Sequence, residues 1–138
     1  MIQITQSDFS VDEVLKQLKK NNVGALVTFL GIVRGDSDDK QINFMEIEVY
    51  PEMALKQLNE IRNNALELFK VEDIHIIHRF GSLNVSENIV FIAVSAGHRS
   101  EAFDACEYVI DELKKRVPIW KREYTKKGAK WVEEKTFG

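Results

Sequence analysis

The chain has 138 residues, of which 44% are apolar and 30% charged, and its net charge is −3. This is the profile of a single globular domain, residues 1–138, long enough to bury a core without disulfides or metal, and it excludes a disordered chain and a surface that grips nucleic acid non-specifically. No apolar run approaches the ~20 residues of a membrane span, the N-terminus lacks a signal-peptide pattern, and the lone Cys106 suits a cytoplasmic location.

Ile2 to Thr5 alternate in polarity and predict a short strand. Ser10 with Glu13 is a capping box that starts a helix with Val11, Val14, Leu15 and Leu18 on one face, closed by Asn21-Asn22. The run from Val23 to Val33 is nearly continuous and β-branched, so it reads as a buried strand, with Gly24 and Gly31 marking a bend or a close backbone approach. Gly35 to Gln41 is a polar loop. Ile42 to Tyr50 is a half-buried strand with Met45, Ile47 and Val49 opposite Glu46 and Glu48. Pro51 opens a helix whose inner stripe is Ala54, Leu58, Ile61, Ala65 and Leu68. Ile74 to Phe80 and Ile89 to Ser95 are strands joined as a hairpin through Asn84 and Asn88.

Ser100 is placed to cap the next helix, which buries Ala102, Cys106, Val109 and Leu113, with Phe103 and Ile110 less directly inward. Pro118 ends it, Ile119 to Thr125 is extended, and Trp131-Val132 is a last apolar anchor. The hairpin and the short edge strands indicate an α+β layer with an antiparallel or mixed sheet and flanking helices rather than a doubly wound parallel sheet.

The stretch His98–Glu123 concentrates cations at the two ends of one helix in an acidic chain. His98 and Arg99 lie where a strand hands over to a helix N-terminus, a place that welcomes anions and not cations. Either a bound phosphate or carboxylate resolves that conflict, or the pair is simply an exposed polar turn. Arg34 ends the long strand behind Gly31, so Ile32 to Arg34 can form one wall of a pocket, or the arginine is merely solvated. Lys114 suits a helix C-terminus on its own account. Lys121 shares a side of its extended segment with Ile119 and Glu123, opposite Trp120 and Arg122, and the proline and tryptophan aim it. His75 and His78, three apart on a strand, face opposite ways; with no CxxC or HExxH, metal chemistry is not expected.

These residues resemble a family, the large catalytic subunit of molybdopterin synthase. The resemblance spans Val23 to Val132 and rests on GALVTFLGIVRG, EIEVYPEMA, HRFGSLNV, AVSAGHRSEAFDACEYVIDELKKRVPIWKRE and GAKWVE in that order. The chain departs from the family pattern at Ser86, where glycine is expected, and at Gly97. The resemblance implies an α/β-hammerhead fold and a homodimer within a heterotetramer. Each protomer would bind a small ubiquitin-like sulfur carrier whose C-terminal Gly-Gly thiocarboxylate enters a pocket. The substrate would be cyclic pyranopterin monophosphate (precursor Z), converted to the dithiolene of molybdopterin with no cofactor. Substrate contacts carry over to Ile32, Val33, Arg34, His98, Arg99, Lys114, Lys121, Arg122 and Glu123, with His98 and Arg99 supplied by the other protomer.

On this resemblance Arg34, His98 and Arg99 clamp the phosphate, while Lys114 and Lys121 are the catalytic pair. A lysine crowded by Arg122 and Lys115 has reason for a lowered pKa and so for acid–base work; as an ammonium it would instead stabilise the anion formed on thiocarboxylate attack. Two readings from other classes compete. A non-catalytic dimeric module that docks a ubiquitin-like tail or a phosphorylated metabolite fits the basic cluster equally well. An RNA-contacting protein needs aromatics spread through a basic surface, whereas Trp120, Tyr124 and Trp131 read as framework.

Overall fold

The computed structural model describes residues 1–37, 40–125 and 128–131. In chain order the elements are β1 (Ile2–Thr5), α1 (Val11–Leu18), β2 (Ala25–Ile32), β3 (Asp36–Ser37), β4 (Lys40–Gln41), β5 (Phe44–Val49), α2 (Pro51–Leu68), β6 (Asp73–Arg79), β7 (Gly81–Asn84), β8 (Asn88–Ala96), α3 (Arg99–Arg116), β9 (Ile119–Thr125) and β10 (Gly128–Trp131). Two four-stranded sheets carry the fold, ordered β1-β6-β8-β2 and β10-β9-β5-β7. Only β1–β6 is parallel among the described pairs; the rest are antiparallel.

The strand periodicity explains the layering. On β6 and β8, Ile74, Ile76, Val90, Ile92, Val94 and Ala96 enter a large core. That core also takes Met45, Ile47, Leu83 and Ile119 from the second sheet, Ala54, Leu58, Ile61 and Ala65 from α2, and Ala102, Ala105, Val109 and Leu113 from α3. The alternate residues Ile77, Phe91 and Ala93 face the other way, where Val14 and Leu18 of α1 cover them. Ser10 caps α1 as expected, its Oγ accepting from the Glu13 amide at 3.2 Å. No helix among the described residues is long and apolar enough to cross a membrane.

Several expectations need correction. The Val23–Val33 run is not a buried strand: β2 lies at the sheet edge, with Thr28, Leu30 and Ile32 on an open face. An apolar run reports burial in whatever assembly the chain forms and does not say that the chain's own core supplies it. Leu68 is exposed at the end of α2, where the stripe runs past the sheet, and Phe103 is exposed on α3. His98, not Ser100, is the N-cap of α3, without a side-chain hydrogen bond. The connection between β6 and β8 is more than a hairpin loop, since it contains β7, which pairs with β5 in the second sheet. The loop 35–41 includes a short ladder, Asp36 with Gln41 and Ser37 with Lys40. Trp131 is 48% exposed, and Val132 lies outside the described residues.

Both strand glycines behave as the sequence indicates. A β-carbon on Gly24 would meet the Gly97 carbonyl oxygen at 2.5 Å. Gly31 adjoins the β-bulge between Gly31 and Ile32 that ends the β2–β8 ladder.

Candidate functional site

The register of β2 against β8 fixes where the charged residues lie. Ala25 pairs with Ala96 at one end and Ile32 with Asn88 at the other. Arg34 therefore emerges at the Asn88 end, whereas His98 and Arg99 follow Ala96 at the opposite end. Eight strand residues separate the two ends by about 25 Å.

Helix α3 runs the other way. It starts at His98, packs back over β8 and β2, and delivers Lys114 to the Arg34 end after most of its 18 residues, a span of about 24 Å at 1.5 Å per residue. Val117 then adopts extended geometry at φ −87° and ψ 122° and the chain turns through Pro118 into β9, as the residue before a proline favours. Trp120 packs edge-on against Tyr50 with ring centroids 5.5 Å apart, which fixes that exit.

On β9 the alternation separates neighbours. Lys121 and Glu123 lie opposite Ile47 and Met45, on the face that meets the core; Trp120, Arg122 and Tyr124 lie opposite Glu48, Glu46 and Phe44, on the other face. Lys121 sits close enough to the buried His78 for its charge to be felt there. His78 ends β6 in register with Val90, again at the Arg34 end of the first sheet. Arg34, Lys114 and Lys121 thus gather at one end of the sheet, while His98 and Arg99 stand apart at the other.

The remaining cations are not gathered with the two lysines. Lys115 lies 3.7 Å from Glu112. Arg116 bonds Glu60 at 2.7 Å and Gln57 at 3.1 Å, tying α3 to α2. Arg122 stacks 4.0 Å over the Trp131 ring and donates to the Tyr124 hydroxyl at 3.3 Å, which in turn donates to Glu46 at 2.9 Å.

Arg34 is exposed, its Nε donating to the Asp36 carbonyl at 2.8 Å. The backbone behind it is tied to the turn before β8: the Val33 amide donates to the Glu87 carbonyl at 2.9 Å and the Ser86 amide to the Val33 carbonyl at 2.8 Å. Arg79 holds that turn from inside, donating to Glu87, to the Asn88 carbonyl and to the Gln6 carbonyl. At the far end, the loop that meets Gly97 lines a cavity of about 490 Å³ with Lys19, Lys20, Asn21 and Val23, adding positive charge beside His98 and Arg99.

Burial decides which titratable groups are available. His78 is held at about 4, chiefly because burial penalises its charge and secondarily by Lys121, so the ring is neutral. A neutral ring donates from Nδ1 to the Arg79 carbonyl oxygen at 2.8 Å. Burial pushes the Cys106 thiol up to about 11, which makes it a core side chain rather than a nucleophile.

The family model described as "MoaE protein" matches residues 4–116. The chain belongs to the MoaE family. Among relatives, the molybdopterin synthase catalytic subunit of Pyrococcus abyssi is 44% identical over 126 residues, covering 91% of this chain and 85% of that one. The crystal structure of molybdopterin synthase from Staphylococcus aureus superposes with a TM-score of 0.89 at 35% identity, covering 94% of each chain. A complex of subunits 1 and 2 of the molybdopterin-converting factor from Helicobacter pylori contains a chain of the same fold, with a TM-score of 0.78 at 23% identity over 96% of this chain and 90% of that one. Membership places the chain among the molybdopterin synthase catalytic subunits, enzymes of molybdenum-cofactor biosynthesis. The resemblance read from the sequence and the mixed α+β architecture are both borne out.

Within the MoaE frame, sequence reasoning missed two buried residues that lie against the candidate residues, His78 beside Lys121 and Arg79 under the turn tied to Val33. The signal was present in the HRFGSLNV block, but alternation alone reads a strand histidine and arginine as partly solvated. It also missed the exposure of Leu30 and Phe103, since apolar residues are assigned inward by default.

Proposed function

We propose that this chain transfers sulfur from the thiocarboxylated Gly-Gly terminus of a small ubiquitin-like carrier to cyclic pyranopterin monophosphate, replacing oxygen by sulfur twice to make the molybdopterin dithiolene. It works in the cytoplasm as the homodimeric centre of a heterotetramer. The single observation that carries the reading is the gathering of Arg34, Lys114 and Lys121 at one end of the first sheet, within a chain of the MoaE family.

In this reading Arg34 holds the cyclic phosphate by charge-assisted hydrogen bonds. The backbone of Ile32 and Val33 forms the adjoining wall. Lys121 reaches in from the inner face of β9 beside Glu123 and positions the carrier tail, with Arg122 bracing the segment. Lys114 stabilises the anion that forms as the thiocarboxylate attacks, the step at which an aimed ammonium is most effective. His98 and Arg99 complete the phosphate clamp from a second protomer. The length of β2 supports that division, because about 25 Å is too far for the two clusters of one chain to share a small ligand.

The test is reconstitution with a thiocarboxylated carrier and precursor Z, reading molybdopterin by the fluorescence of its oxidised derivative. Wild type forms product, and Lys114→Ala lowers the rate roughly 100-fold or more, the size expected for losing one charge-stabilising group, while still binding the carrier. Product at near wild-type rate from Lys114→Ala would remove Lys114 from the chemistry. A wild-type protein that held the carrier and released no dithiolene would instead be a binding module.

A further inference from the structure

We propose that the ion pair Arg79–Glu87 positions Arg34: the pair fixes the turn from Asn84 to Asn88, and that turn grips the backbone on both sides of Arg34. The inference rests on the reading above in which Arg34 holds the cyclic phosphate, and it adds what aims the guanidinium.

Arg34 needs such support. Its side chain is 68% exposed, and it lies beyond the last ladder pair of β2, Ile32 with Asn88. The turn takes over where the ladder stops. The Val33 amide donates to the Glu87 carbonyl at 2.9 Å, and the Val33 carbonyl accepts from the Ser86 amide at 2.8 Å. On the other side of Arg34, a β-carbon added to Gly35 would lie 3.2 Å from Cγ1 of Val85, so Gly35 packs against the same turn. Residues 33 and 35 are both held by residues 85–87, and Arg34 projects from between them.

The turn is set in its own place by Arg79. One carboxylate oxygen of Glu87 accepts from Arg79 Nη1 at 3.3 Å, and the other accepts from the Asn84 amide. The Glu87 amide donates back to the Asn84 carbonyl at 3.1 Å. Arg79 is buried, and its other donors reach the Asn88 carbonyl at 3.1 Å and the Gln6 carbonyl at 2.9 Å. One rigid fork thereby sets the spacing of three segments: the exit of β1, the turn and the start of β8. Desolvation offsets most of what a buried ion pair contributes to stability. Geometry is what this pair supplies and an apolar pair would not.

Steady-state kinetics with precursor Z and the thiocarboxylated carrier test the assignment. Glu87→Gln keeps the side chain's size but turns an N–H donor towards either Arg79 or the Asn84 amide. It is expected to raise KM for precursor Z roughly 10-fold with kcat within about two-fold, the pattern for weakened binding shared by ground and transition states. Glu87→Asp keeps the charge and should fall between Glu87→Gln and wild type. In an Arg34→Ala background, Glu87→Gln should change kcat/KM by less than about two-fold, because the group it aims is gone. Hydrogen exchange should quicken at the Val33 and Ser86 amides while Ile92, inside β8, stays protected; this arm needs no activity. A wild-type KM in Glu87→Gln, an equal loss in both backgrounds, or unchanged exchange at Val33 overturns the positioning role and leaves Arg34 as the phosphate holder. A wild-type KM in Arg34→Ala overturns the phosphate reading itself, and this proposal with it. Should Glu87→Gln fail to fold, Glu87→Asp decides by the same comparisons.

Discussion

Ser86 carries the only left-handed backbone among the described non-glycine residues, at φ +74°. It is also a position at which the resemblance read from the sequence leads one to expect glycine, so the departure and the strain coincide. A β-carbon in that region is disfavoured by about 1–2 kcal/mol, partly offset because a glycine frees the unfolded chain. Ser86→Gly is therefore expected to raise stability by about 0.5–1 kcal/mol, read as a higher urea midpoint at unchanged slope. An unchanged or lower midpoint would mean that the turn tied to Val33 accommodates the serine without strain. At this scale the sequence was legible where a side chain interacts locally, as with Ser10 and Glu13, and where a glycine marks a close backbone approach, as at Gly24. It was not legible at Ser100, where capping preference alone ranks serine above histidine, while the strand's length places the helix start two residues earlier.

At the scale of elements, spacing identified all three helices and the principal strands, because periodicity follows from which face is covered. It overreached where an element outruns its cover, as at Leu68 and Phe103, and it could not see that β2 is an edge. It also missed β7, whose partner β5 is remote in the chain. Strand β6 shows what periodicity omits: the core-facing His78 is fully buried and neutral. Its folded value, about 4, lies below the ordinary 6.5, so unfolded chains take up the proton first as pH falls. Stability is then full above about pH 6.5, erodes between about 6.5 and 4, and levels off below. The difference of about 2.5 units corresponds to about 3 kcal/mol across that window, and the buried His75, shifted the same way, adds to it. Urea midpoints measured from pH 7.5 to 4.5 should fall accordingly, and His78→Gln should flatten most of the slope. Midpoints that stay level between pH 7 and 5 would contradict a neutral buried ring.

At the scale of the whole molecule, candidate site residues were named from the sequence, but their separation was not, because register decides it and register is invisible in one chain's composition. The ladder from Ala25–Ala96 to Ile32–Asn88 sets His98 and Arg34 at opposite ends, which turns a list of cations into a statement about assembly. Arg34→Ala and His98→Ala should each abolish most turnover alone. If the two groups meet only across a dimer, subunit exchange between these variants produces mixed dimers in which one site carries both substitutions and the other carries neither. Half of the dimers are mixed at equal input and half of their sites are intact, so activity should recover to roughly a quarter of wild type. The recovery should appear with the time course of exchange and should be absent when Arg34→Ala is mixed with Lys114→Ala, since both of those groups come from the same chain and every site then lacks one of them. No recovery in the first mixture despite proven exchange would place the clamp within a single protomer, and recovery in the control would assign Arg34 and Lys114 to different protomers.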